Sequence, residues 1–186
     1  LLIEDFGTPG LEGDPTEFSQ SAKNSKNGFF SFWRNIGRSG KSNASRGRWG
    51  LGKTVFPATS QINTFFGITR RMSDPEIGYL MGQAIFKNHT IGETSYTPYG
   101  HFGRFSVTDE DKHFAMPIAD QNMIDEFGDV FKLQRGNQTG LSLIIVMPDD
   151  DITLPRLTVA VAEQYFYPIL SGKLIVHVGE SKIDRE

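Results

Sequence analysis

Between residues 11 and 53 the chain shows no sustained hydrophobic period, and Ser, Asn, Lys, Gly and Arg dominate. A loop of that length inside a compact domain is either functional or disordered. Glycine-rich sequence bounds it at both ends, as Asp5-Phe6-Gly7-Thr8-Pro9-Gly10 and Gly47-Arg48-Trp49-Gly50-Leu51-Gly52-Lys53. Any fold must therefore seat two glycine turns and a long connection on an ordinary core. The chain can supply that core. It has 186 residues, 38% hydrophobic and 22% charged, the balance of a globular protein. Inside the long stretch, Phe29-Phe30-Ser31-Phe32-Trp33 is an aromatic cluster that needs a surface to pack on.

Around this stretch the pattern predicts alternating elements. Leu1 to Ile3 reads as a short buried strand ending at Glu4-Asp5. Lys53 to about Phe65 reads as a helix and Phe65 to Arg71 as a strand. Ser73-Asp74-Pro75-Glu76 resembles a helix start, with Ile77, Leu80, Met81, Ala84 and Ile85 following at helical spacing. Residues 90 to 120 suggest short strands and loops, and Met123 to Phe127 a short helix. Val130 to Leu133 and Leu141 to Met147 read as antiparallel strands around Gly136-Asn137. Pro155 opens a helix running to about Tyr167, and Lys173 to Val178 is a last strand. The expected fold class is an α/β two-layer sandwich, with a mixed, mostly antiparallel sheet and helices on one face. One domain is expected over residues 1 to 186.

Several chemistries are disfavoured. The net charge of −3 argues against nonspecific binding to nucleic acid or anionic membrane. There is no cysteine, so no disulfide, thiolate metal site or cysteine nucleophile exists. The four histidines, at 89, 101, 113 and 177, lack metal-ligand spacing. Asp149-Asp150-Asp151 reads as a solvated turn before a helix rather than a cation site. The longest apolar run, Leu141 to Met147, is too short to span a membrane. The sequons at Asn43, Asn88 and Asn137 read as chance matches. A cytoplasmic protein is the expectation.

The glycine stretches carry the functional signal. Phosphates need backbone N–H groups at close approach, and glycine permits both the approach and positive φ. A helix beginning after such a loop adds its N-terminal dipole. Gly47, four residues, then Gly52-Lys53-Thr54 matches a P-loop literally. That motif requires a buried strand before its first glycine, and Ser42-Asn43-Ala44-Ser45-Arg46 is no such strand. The P-loop stays as an alternative with its context against it.

Taken together, the two stretches resemble the glycine boxes of the gyrase, heat-shock chaperone, histidine kinase and MutL (GHKL) ATPase superfamily, in its chaperone and MORC branches. Ile3 to Gly10 resembles the first box, although two residues separate its glycines where the usual pattern has one. Gly47 to Gly52 resembles the second. Asn35-Ile36-Gly37-Arg38-Ser39-Gly40-Lys41 looks like the lid segment between them, which places an ATP lid over residues 11 to 46. The resemblance implies a Bergerat fold and ATP as ligand. It implies that Asp5 accepts the adenine amino group, with Gly7 and Gly10 passing the backbone beside the base. Gly47, Gly50, Gly52, Lys53, Lys41 and Ser39 would frame the phosphates. A strand hydroxyl, Thr139 or Ser142, would support the adenine.

The family's first helix, with its water-activating acid and the Asn that binds Mg2+, normally lies upstream of Asp5. Those groups are therefore expected from a segment outside this chain, and no metal ligand is assigned within it. The expected function is an ATP-binding domain of a larger ATPase whose lid closes on nucleotide, with further domains of the same protein, and a homodimer, as partners. A nucleotide-free interaction module of the same fold is the rival from another class.

Overall fold

The computed structural model describes residues 1–17, 27–34, 54–107 and 113–186. The chain divides into two compact units, Leu1–Met147 and Pro148–Glu186.

The first unit is built on five antiparallel strands in the order β1-β9-β2-β3-β6. In chain order its elements are β1 (Leu2–Glu4), α1 (Gly28–Trp33), α2 (Val55–Ala58), β2 (Thr64–Arg71), β3 (Asp74–Ile85), β4 (His89–Ile91), β5 (Thr94–Tyr96), β6 (Tyr99–Phe102), β7 (Arg104–Val107), β8 (His113–Met116), α3 (Gln121–Phe131) and β9 (Gly140–Ile145). β4 with β5, and β7 with β8, form separate hairpins. The fold is mixed α/β with mostly antiparallel pairing, as the sequence suggested.

Side chains alternate across the sheet. Phe65, Gly67 and Thr69 of β2 stand beside Ile145, Leu143 and Leu141 of β9 and Gln83, Met81 and Tyr79 of β3. Onto this face α1 delivers Phe29 and Trp33, both essentially buried. Trp33 stacks on Phe65 at 5.4 Å between ring centroids. Gly67 makes room for it, since a Cβ there would lie 2.9 Å from Trp33 Cζ2. Asn27 caps α1 by accepting from the Phe30 amide at 2.8 Å. Arg34 ends the helix with its guanidinium donating to the Ala115 carbonyl at 2.8 Å. Burial lowers its pKa to about 10. The aromatic cluster of the sequence is thus core.

On the opposite face, Ile68 and Leu80 meet Ile124 of α3, and Phe66 meets Phe127 edge-on at 5.2 Å. Helices therefore sit on both faces of the sheet, where the sequence suggested one.

β3 corrects the largest expectation. Residues 74–85 form a strand, not an amphipathic helix. Both its faces are covered, so its apolar residues form a near-continuous run that periodicity cannot tell from a helix. Gly78 and Gly82 would each have cost a helix about 1 kcal/mol. In the strand they admit neighbours: a Cβ on Gly78 would be 3.1 Å from Ile124 Cδ1, and one on Gly82 2.5 Å from Phe66 Cδ1. Asp74 does not cap a helix. It sits across the β2–β3 turn and accepts from Arg71 Nε at 2.8 Å and from the Tyr79 hydroxyl at 2.7 Å. The helix expected from Lys53 to Phe65 is only Val55–Ala58. The strand expected at Val130 to Leu133 is instead the end of α3, closed by Lys132 at φ 58°.

The second unit holds α4 (Leu154–Leu170), β10 (Val176–Val178) and β11 (Ser181–Ile183). Pro155 lies in the first turn of α4, and Pro168 is inside it rather than ending it. β10 and β11 pair around Gly179, at φ 61°.

Trp33→Ala should cost about 3–5 kcal/mol in urea unfolding, the usual loss for a large aromatic truncated in a core. The hydrogen bond from Arg71 holds the Asp74 carboxyl below its ordinary pKa. A carboxylate with a depressed folded pKa stabilises the fold above its unfolded pKa, and that stabilisation is lost as pH falls through the folded value. Asp74→Asn should therefore cost about 1–3 kcal/mol at neutral pH. The gap from the wild type should begin to narrow below about pH 4 and close only as pH falls through the depressed folded pKa.

Candidate functional site

The first glycine box leaves the sheet at the end of β1. β1 pairs with β9, setting Glu4 opposite Ser142. One step on, the Asp5 amide donates to the Leu141 carbonyl at 3.0 Å, and the Leu141 amide donates to Asp5 Oδ1 at 2.7 Å. The Thr8 hydroxyl reaches the same oxygen at 3.0 Å. Oδ2 takes no hydrogen bond among the described residues, and the side chain is 51% exposed. The result is an oriented carboxylate with one oxygen committed and one presented outward.

The box is then pinned to the sheet. The Leu11 amide donates to Thr69 Oγ1 at 2.9 Å, and that hydroxyl donates to the Gly140 carbonyl at 3.0 Å. The Met72 amide donates to the Pro9 carbonyl at 3.0 Å. Gly7 and Gly10 both have positive φ, 71° and 76°. Their surroundings differ. A Cβ on Gly10 would run into the Arg70 carbonyl oxygen, whereas one on Gly7 would meet nothing within 4 Å. Gly10 is needed for packing against β2. Gly7 borders open space beside Asp5.

Beneath the box lies a polar network that the sequence reading missed. Arg135, 2% exposed, precedes β9. Its Nε donates to Ser142 Oγ at 2.8 Å, its Nη2 to the Asp5 carbonyl at 2.6 Å and its Nη1 to the Gln138 carbonyl at 3.4 Å. The Ser142 hydroxyl in turn donates to Glu4 Oε1 at 2.7 Å, and the Gln134 amide to Glu4 Oε2 at 2.9 Å. Burial lowers the Arg135 pKa, opposed by the charges of Asp5 and Glu4. Gly140, at φ 135°, leaves the space that the Asp5 carboxylate and the Arg135 guanidinium fill.

Of the residues singled out from sequence, Asp5, Gly7, Gly10 and Ser142 are brought to this one place. Ser142 is fully buried, with its hydroxyl spent between Arg135 and Glu4. Ser39, Lys41, Gly47, Gly50, Gly52 and Lys53 lie outside the described residues. What flanks them is visible. Phe32 of α1 and Phe56 of α2 approach to 6.1 Å between ring centroids, so the two short helices pack together. Arg135 carries no sequence signal, because an arginine before a Gly-Asn turn reads as a solvated loop charge.

A separate cleft of about 440 Å³ is lined by Arg70, Pro75, Glu76, Gln121, Asp125 and Asn137. Arg70 already donates to the Glu76 carbonyl at 3.1 Å, and the carboxylates of Glu76 and Asp125 oppose an anion there. Among the described residues, no group of three or more His, Cys, Asp or Glu could hold a metal ion. Asp151 of the acidic run pairs with Arg156 at 3.0 Å on exposed surface. No described helix is long and apolar enough to cross a membrane. No family model matches this chain, and neither a curated protein nor a solved structure is found to resemble it.

The two glycine classes should respond differently to substitution. Gly7→Ala should lower stability by about 1–2 kcal/mol, the cost of a left-handed residue without a clash. Gly140→Ala should cost more in the same thermal-unfolding measurement, since it adds overlap with Asp5 and Arg135 to backbone strain.

Proposed function

We propose that this chain is an ATP-binding domain of Bergerat type, part of a larger GHKL-type ATPase. The observation that carries the proposal is the Asp5 carboxylate. One oxygen is fixed by two donors, the other is open, and a positive-φ glycine facing open space follows two residues later. Such an acceptor suits the exocyclic amino group of adenine, and a hydrogen bond to a charged acceptor is worth about 1.5–3 kcal/mol.

Lys53 lies directly before Thr54 and α2, and Arg34 directly after α1. Nucleotide-dependent closure would not involve α1, whose aromatics are core. Gly47, Gly50, Gly52, Lys53, Lys41 and Ser39 would meet the phosphates. ATP would be bound with Mg2+, and neither a ligand for that ion nor a water-activating acid is assigned among these residues. The P-loop alternative loses support, because α2 has four residues with a proline among them. So short a helix offers a phosphate little dipole.

Calorimetry with ATP and ADP in the presence of Mg2+, on the longest version of the protein that folds, is the test. Asp5→Asn should weaken binding at least 10-fold, and Lys53→Ala should weaken it less. Binding that survives Asp5→Asn but is lost in Lys53→Ala would move the assignment to the P-loop. A folded protein that binds neither nucleotide would leave an interaction module.

A further inference from the structure

We propose that Arg135 is the positioning residue of the Asp5 acceptor, a role that rests on the adenine reading for its functional meaning. A buried guanidinium carries a large desolvation cost, which excellent hydrogen-bond geometry must offset. Here the geometry is directed at Asp5 and its neighbour Glu4. Arg135 Nη2 holds the Asp5 carbonyl at 2.6 Å, while its Nε holds Ser142, whose hydroxyl holds the Glu4 carboxylate. Glu4 is also fixed through its second oxygen by the Gln134 amide, one residue before Arg135. Glu4, through its carboxylate, and Asp5, through its carbonyl, are therefore both tied to one short loop.

That grip decides where the carboxylate points. Asp5 follows the last residue of β1, so the ladder holds it only through its pairing with Leu141. Release of its carbonyl would free the Asp5 main chain to rotate, and the Leu141 amide bond to Oδ1 would break with it. Phe6, next in the chain, has its ring centroid 5.1 Å from the Arg135 guanidinium carbon. The fork is needed as well as the charge. Lysine offers one nitrogen and cannot span Ser142, Asp5 and Gln138 together.

A residue that only glued the loop to the sheet would destabilise everything around it alike. A positioning residue would act on Asp5 first. Arg135→Gln, Arg135→Lys and, as a control of general destabilisation, Phe127→Leu should be compared by amide hydrogen exchange without nucleotide and by ATP calorimetry. In both Arg135 variants the Leu141 and Asp5 amides should exchange about 10-fold faster. The Ile68 and Leu143 amides at the sheet centre should hold their protection, and ATP affinity should fall by about the same factor. Phe127→Leu should not reproduce this pattern. Unchanged exchange at Leu141, a uniform rise across the sheet, or full rescue by lysine would overturn the proposal. Faster exchange at Leu141 in a protein whose wild type binds no ATP would uphold the clamp on Asp5 and overturn the adenine reading instead.

Discussion

Strand β9 lies between β1 and β2, and the candidate site exists only because of that insertion. Its pairing sets Ser142 opposite both Glu4 and Ile68, joining segments far apart in the chain. Such pairings are among the costliest a chain can make, since the loop-closure entropy must be met before the contacts form. Apolar burial offsets it on both faces of the sheet: Leu143 and Ile145 on the α1 side, Ile144 on the other. Once β9 is in place, Leu141 meets Asp5, Gly140 meets Thr69, and Arg135 arrives beneath the first glycine turn. The polar geometry is a by-product of hydrophobic register.

What could be read from the residues follows from how local the signal was. β1, β2 and β9 were legible because apolar β-branched and aromatic runs end at Gly, Asp or Arg. α4 was legible because Pro155 marks its first turn. The Asp5, Gly7 and Gly10 turn was legible because positive φ needs glycine at two of its positions. β3 was misread for a physical reason. Strand burial on both faces erases the alternation, and what remains of Ile77, Leu80, Met81, Ala84 and Ile85 mimics a helical face. Its two glycines, at 78 and 82, were the overlooked sign. Arg135, Glu4 and Thr69 were invisible because their roles come from partners up to 138 residues away, which no window of sequence contains.

The network also explains why residues of ordinary type gather at one point. Glu4 and Arg135 are charged groups of opposite sign bridged by the neutral Ser142 hydroxyl rather than paired directly. Each then keeps hydrogen bonds for the backbone of the neighbouring segment. A direct ion pair would have spent both charges on each other and left the Asp5 carbonyl and Gln134 amide without partners. The bridged arrangement thus satisfies more of the turn with the same side chains.

The burial of Trp33 has a spectroscopic consequence. The chain carries two tryptophans, Trp33 and Trp49. Trp33 is 1% exposed and stacked face to face on Phe65, so its emission reports the integrity of the core and is deaf to ligands. Trp49 lies between Gly47 and Gly50, within the second glycine stretch. In a Trp49→Phe protein the remaining indole emission is therefore that of the core alone.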